Sequence, residues 1–262
     1  MKVSMIRESL VLSLAVFFSL TIFAAGQVIV TNSLVSYTYT ENPANTYVPA
    51  SPLASASGQS SSLAFAPNNF VASTTGTGMQ IDSQSGILTV DLFANPGLYF
   101  TNTALSLSVD GGYQLFAPFS SSEAVSSVTA SYTVYLSGVD GAPYSSPMAL
   151  AGSVAISPTN SFSLLGPGGS VSGVWNGSLN LTVSAIKTYF GIGPTNNITG
   201  LRLQYSSTVN AASINGSATM DQLNVTIASQ VVPEPSTYAL LSLAAMAAAF
   251  VTLRRKARSA TN

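Results

Sequence analysis

From residue 27 to residue 231, apolar and polar side chains alternate in long runs. Val128, Ala130, Tyr132, Val134 and Leu136 fall on one face of an extended chain, and Thr129, Ser131 and Thr133 on the other. Leu105, Leu107 and Val109 repeat the pattern, as do Leu201, Leu203 and Tyr205, and Leu223, Val225 and Ile227. Val171, Gly173 and Trp175 lead into a further alternating run, Ser178 to Val183. A period of two is the mark of half-buried strands. Only Val183 to Phe190 departs from it, and there the pattern predicts a short helix.

Turn formers divide the runs: Ser85-Gly86, Asn95-Pro96-Gly97, Asp110-Gly111-Gly112, Asp140-Gly141, Gly166-Pro167-Gly168-Gly169 and Asn215-Gly216. Asp-Gly and Asn-Gly suit the left-handed positions of hairpin turns. Read this way, the body holds about ten short strands, an all-β antiparallel β-sandwich of jelly-roll-like type. A solenoid would need a fixed repeat, and the chain has none. Residues 41–62, rich in Pro, Ser and Ala, read as a long covering loop.

Two stretches do not alternate. After Lys2 and Arg7, an apolar run from Leu10 to Ala25 ends in the small residues Ala24-Ala25-Gly26. A basic start, an apolar middle and a small-residue exit make a secretory signal peptide over residues 1–26. Signal peptidase would cut between Gly26 and Gln27. An uncleaved anchor is the alternative, and the small residues argue against it. The second stretch, Tyr238 to Leu253, has 16 residues and no charge. As a helix it reaches ~24 Å, slightly short of a ~30 Å hydrocarbon core. Arg254, Arg255 and Lys256 would act as its membrane stop on the cytoplasmic side. The body, residues 27–231, then lies outside the inner membrane.

Just before this predicted transmembrane helix stands Val232-Pro233-Glu234-Pro235-Ser236-Thr237. Prolines on either side of Glu234 oppose backward extension of the helix, so the segment leaves the bilayer extended. An extended segment is what a protease active site accepts, and Glu234 is its one charge. The order of motif, apolar helix and basic cluster over residues 232–258 resembles the PEP-CTERM sorting signal. It has Ala244-Ala245 and Ala247-Ala248-Ala249 where members of that family often carry Gly. The resemblance implies export in a Gram-negative bacterium that makes extracellular polysaccharide. It also implies processing by a membrane-embedded exosortase near Pro233, Glu234 and Pro235. Other tripartite carboxy-terminal signals follow the same logic.

Composition narrows the chemistry. The chain has 262 residues, 6% of them charged, with 42 Ser, 24 Thr and neither Cys nor His. Ser-His-Asp triads, thiol nucleophiles, disulfides and Cys/His zinc sites are therefore excluded. Residues 27–232 hold two cations, Lys187 and Arg202, against seven acids: Glu41, Asp82, Asp91, Asp110, Glu123, Asp140 and Asp221. A body of net charge 2 − 7 = −5 cannot neutralise a run of phosphates, which excludes nucleic acid as a partner.

The remaining candidates lack motifs. Asp82 and Asp110 open stretches that could offer oxygens to calcium, but without the spaced acids of a calcium loop. Plain turns are the simpler reading, and we expect no metal and no other cofactor. Asp82, Asp91, Glu123 and Asp140 are the stock for a glycoside hydrolase pair. Lys187 is the one lysine for a Ser-Lys dyad. Tyr37, Tyr39, Tyr99, Tyr113, Tyr132, Tyr135, Trp175 and Tyr205 could form a sugar-stacking row, though most sit where strand packing explains them. Asn176, Asn180, Asn197, Asn215 and Asn224 begin Asn-x-Ser/Thr sequons, incidental in a bacterial protein. Three functions fit: an exported non-enzymatic surface or matrix protein, a carbohydrate-binding module for the cell's own polysaccharide, and a glycoside hydrolase. The sequence favours the first.

Overall fold

The computed structural model describes residues 20–22, 27–40 and 47–234. Strands β1 (Leu20–Ile22), β2 (Gln27–Thr31), β3 (Val35–Thr40), β4 (Tyr47–Ser57), β5 (Ser60–Pro67) and β6 (Val71–Thr75) come first. Then follow β7 (Met79–Ala94), β8 (Leu98–Phe100), β9 (Thr103–Ala117), β10 (Glu123–Val139), β11 (Ala142–Pro143), β12 (Leu150–Ser153), β13 (Ala155–Ser157), β14 (Ser161–Leu165) and β15 (Gly169–Thr182). Helix α1 (Val183–Phe190) precedes β16 (Ile198–Ile214), β17 (Ser217–Asp221) and β18 (Asn224–Pro233).

These strands build two antiparallel sheets. One runs β1-β2-β3-β7-β16-β10-β11, with β12 and β14 also on β10. The other runs β13-β15-β9-β18-β5-β4, with β17 on β9, β6 on β17 and β8 on β18. The alternation read from the sequence is what places the core. In β16, Leu201, Leu203, Tyr205, Ser207, Val209 and Ala211 are buried, while Arg202, Gln204, Ser206, Thr208 and Asn210 are half-buried or exposed. Leu105, Leu107, Val109, Val225 and Ile227 answer from the second sheet. Tyr39 and Phe65 meet edge to face between the sheets, with ring centroids 5.2 Å apart. Each fully buried side chain of this size contributes roughly 1.5–3 kcal/mol.

The helix forms where the period changes. Thr182 caps it, its Oγ1 accepting the Ala185 N–H, and Gly191 at φ 67° ends it. Ile186 and Phe190, four residues apart, are its buried face.

Three expectations are corrected. Residues 47–57 and 60–67 are strands, not a covering loop. Residues 41–46 lie outside the described residues. Ser85-Gly86 lies inside β7 and Asp110-Gly111-Gly112 inside β9, so neither is a turn. The strands are accordingly longer and more numerous than expected; β10 and β16 have 17 residues each. Asp140-Gly141 does form the expected two-residue turn: both have positive φ, and Val139 pairs with Ala142 across it.

Candidate functional site

The last strand carries the chain to one end of the sandwich. Val225, Ile227, Ser229 and Val231 point into the core, which fixes β18 in register. Over Asn224–Ala228 it pairs with β9. It then leaves β9 and takes β8 as its partner: Val231 opposite Phe100, Val232 opposite Tyr99, Pro233 opposite Leu98. A proline fits there because the strand ends and no further ladder bond is needed from its nitrogen. The next residue, Glu234, donates its backbone N–H to the Gly97 carbonyl at 2.9 Å.

Gly97 belongs to the turn Asn95-Pro96-Gly97, where its φ of 79° is the left-handed conformation that glycine allows. The Asn95 side chain braces this turn by donating to the Asn32 carbonyl at 2.8 Å. Pro233 thus closes the last strand of the folded domain, and Glu234 is tied to it by its backbone bond. Glu234 borders a cleft of about 360 Å³ walled by Phe93, Pro96, Pro143 and Thr199. The expectation of an extended segment is met at Pro233, the last residue of β18. Pro235, the helix predicted over 238–253, and Arg254, Arg255 and Lys256 lie outside the described residues. Among the described residues no helix is long and apolar enough to cross a membrane.

At the other terminus, Gly26 also lies outside them. Gln27 opens β2, exposed and opposite Thr40. Leu20–Ile22, inside the predicted signal peptide, pairs with Val28–Val30 as the edge strand of its sheet.

The other candidates separate. Asp82 accepts the N–H groups of Ser73 and Ser83. Asp91 forms a two-bonded pair with Arg202, at 2.6 and 3.1 Å. Asp140 accepts from the Asn196 side chain and the Asn197 N–H, which hold its carboxyl below the usual range. Glu123 lies opposite Ile214 on the outer face of its sheet, whereas Asp82 lies opposite the buried Ala211. Asp82 and Asp91 are nine positions apart on β7, which is ~30 Å along a strand. The second cleft, about 790 Å³, is lined by Lys187, Asn102, Thr103, Thr182, Ser184 and Thr188, among others. Lys187 donates there to the Pro194 carbonyl at 2.9 Å. None of the four acids lines either cleft.

The tyrosines do not form an exposed row. Tyr37, Tyr39, Trp175 and Tyr205 are core residues. Tyr113 stacks on Phe162 with centroids 3.8 Å apart. Asp110 accepts from the Asn224 side chain at 2.9 Å and faces Asn176 across the next strand. Among the described residues no three acids gather as metal ligands. Sequence reasoning missed the role of Gly97 and β8 in holding Glu234, because three residues are too few to show a period.

Comparison with solved structures gives distant likenesses. Latent PorU from Porphyromonas gingivalis is 12% identical with a TM-score of 0.20, over 55% of this chain and 10% of that one. CBM28, a carbohydrate-binding module specific for non-crystalline cellulose, is 10% identical with a TM-score of 0.22, over 64% and 89%. The family 11 xylanase from Neocallimastix patriciarum is 15% identical with a TM-score of 0.18, over 76% and 94%. Scores this low carry no argument about function, and the chain spans only a tenth of the PorU chain. No curated protein matches the chain. The carboxy-terminal segment does find a match: residues 231–256 fit the PEP-CTERM protein-sorting motif. The strand that ends at Pro233 therefore runs straight into a PEP-CTERM sorting signal, and the chain is a protein that carries one.

Proposed function

We propose that this is an exported, non-enzymatic protein of the cell surface or extracellular matrix, sorted through its PEP-CTERM signal. The observation that carries the reading is the match over residues 231–256, set directly on the end of β18. In this reading a signal peptidase removes residues 1–26, and β1 leaves with them. The helix over 238–253 holds the chain in the inner membrane, stopped by Arg254, Arg255 and Lys256. An exosortase then acts near Pro233, Glu234 and Pro235, and the sandwich proceeds outward. The chain's repeated crossing between sheets, as from β3 to β4 and from β6 to β7, supports the jelly-roll-like description.

The test compares a host with its exosortase and the same host lacking it. An antibody to residues 254–262 should detect the chain in membranes of the second host and lose it in the first. Equal retention of the tail in both would refute the sorting reading.

A second reading, a module binding the cell's own polysaccharide, draws support from one feature. The outer face of the β15-β9-β18 sheet sets Asn176, Asp110 and Asn224 in a row beside Ser178, Ser108 and Thr226. Amide and hydroxyl rows on a flat face suit hydrogen bonding to sugars. A glycan array probed with the tail-free protein separates this reading from the first. For the third, a glycoside hydrolase, the separation of the four acids offers no support.

A further inference from the structure

Strand β18 is held by its neighbours right up to the sorting motif. Thr101 donates its N–H to the Gln230 carbonyl, and Glu234 donates its own to the Gly97 carbonyl, both at 2.9 Å. Backbone groups alternate in direction along a strand, so Gln230, Val232 and Glu234 turn theirs toward β8. Val232 and Tyr99, directly opposite, are then the pair that exchanges both bonds. Val231 turns the other way and donates to the Gln59 carbonyl at 2.8 Å, beside the β5 ladder.

The partner strand is itself fixed. Phe100 of β8 and Val231 lie opposite each other in the core, 0% and 1% exposed. In the turn before β8, Leu98 donates to the Asn95 carbonyl and Asn95 to the Leu34 carbonyl, both at 2.9 Å. The Asn95 side chain adds its bond to Asn32. The Gly97 carbonyl that holds Glu234 is therefore part of a braced turn. A protein that captures an extended peptide does so through the peptide's main-chain N–H and C=O groups. Groups already spent on β8 are not available to it unless the strand is pulled away.

We propose that β8 and Gly97 act as a guard: they keep the peptide bonds up to Glu234 from the exosortase, so that the cut falls between Glu234 and Tyr238. This rests on the sorting reading above and locates its processing step. The pairing with β8 sets the lower limit. The apolar run from Tyr238 sets the upper one, since backbone in lipid must close its own hydrogen bonds as helix. Four peptide bonds lie between the two limits. At one of them the C–N bond breaks, the carbonyl carbon takes the hydroxyl of a water, and the tail's nitrogen takes the proton. Glu234 still lines its cleft while its backbone is bonded, so recognition and protection coexist. The mature domain keeps β18 whole, bonded to β5, β8 and β9. A cut before Val232 would instead take from β8 its partner and uncover Phe100. Gly97 and Tyr99 are in this sense positioning residues for the cut.

The test is the carboxy terminus of the full chain after export from a host that has the exosortase, read by mass spectrometry. The product should end at Glu234, Pro235, Ser236 or Thr237. An end at Pro233 or earlier, or within the apolar run, would overturn the guard while leaving the sorting reading in place. Retention of the whole tail would overturn both. Tyr99→Pro removes the N–H given to Val232 and should raise products ending before Glu234 on the order of fivefold, the effect of one lost backbone hydrogen bond. Gly97→Val, which forces a β-branched residue to a φ of 79°, should act in the same direction. Trp175 emission of a buried indole in each variant shows that the sandwich is intact. Parental products alone from a folded variant would overturn the guard, and where neither variant accumulates, the parental terminus decides.

Discussion

The indole of Trp175 donates to the backbone carbonyl of Asp221 at 3.0 Å, and the contact passes over Gly111. A Cβ at Gly111 would lie 2.0 Å from that carbonyl oxygen and 2.7 Å from the Trp175 ring. The Asp221 carboxylate is bonded to the neighbouring Gly112 N–H. Asp110-Gly111-Gly112 thus serves close packing of β15, β9 and the end of β17, rather than a turn.

Gly111→Ala should therefore cost at least ~3 kcal/mol, the upper range for overpacking a core, since backbone rather than a flexible side chain must move. Trp175 is the sole tryptophan and fully buried, so its fluorescence reports the fold directly. Urea unfolding of the exported, tail-free protein should show a lowered midpoint for Gly111→Ala. An unchanged midpoint would show that β9 relaxes at no cost.

A second prediction concerns pH. Tyr47 donates to Ser207, Ser207 to Gln222, and Gln222 to the Tyr205 hydroxyl, at 2.8, 2.6 and 3.2 Å. Burial pushes the Tyr205 phenol up to about 12 and raises Tyr47 and Tyr37 as well. Unfolded tyrosines ionise near ~10, so between ~10 and ~12 the unfolded chain holds fewer protons than the folded one. Stability is therefore complete below pH ~10 and falls as pH rises through that window, by on the order of 2–3 kcal/mol for Tyr205 alone. Urea midpoints at pH 8 and 11, read by Trp175 emission, should drop at the higher value. Tyr205→Phe should reduce the drop while lowering stability at pH 8, because it leaves the Gln222 amide without its acceptor.

Much of this architecture was legible from period alone. Leu105, Leu107, Val109, Leu201, Leu203 and Tyr205 were placed on buried faces because only alternation was needed. Helix α1 was legible because Val183–Phe190 is the one stretch of the body that departs from the period of two; the structure adds its caps, Thr182 and Gly191. What failed was the reading of glycine. Turn and close approach use the same residue, and only the partner at Gly111, a tryptophan 64 positions away, separates them. The aromatic positions followed the alternation: strand packing is the simpler account of most of them, and Tyr37, Tyr39, Trp175 and Tyr205 are core residues. The sorting motif was legible as chemistry, yet its attachment to β8 depends on a strand of three residues.

The third prediction is at the amino terminus. The exported protein should begin at Gln27, with part of it cyclised to pyroglutamate. Gln27 opens β2 and is exposed, so the cut falls at a strand end and spares the β2–β3 pairing. Loss of β1 leaves β2 as the edge. Intact Met1 in amino-terminal mass spectrometry would contradict this.

The last prediction joins the fold to sorting. Changing Pro233, Glu234 and Pro235 together to Ala should leave export intact and block processing. Export depends on residues 1–26, which the change does not touch. The sandwich should also survive: Pro233 ends a strand whose register is set by Val225, Ile227 and Val231, and the Glu234 bond to Gly97 uses backbone only. Two features are lost instead. One is the carboxylate of Glu234, which borders an open cleft. The other is the pair of prolines that oppose helix, so the chain beyond the last pairing with β8 is freed to turn helical. A protease that needs an extended, acidic segment then finds neither. The variant should accumulate as a larger, membrane-bound form, seen with an antibody to residues 254–262 in a host that has the exosortase. The purified variant's Trp175 emission should match that of the parent, which separates a sorting defect from a folding defect. If the tail disappears as fast as in the parent, residues 233–235 are only a linker between β18 and the membrane.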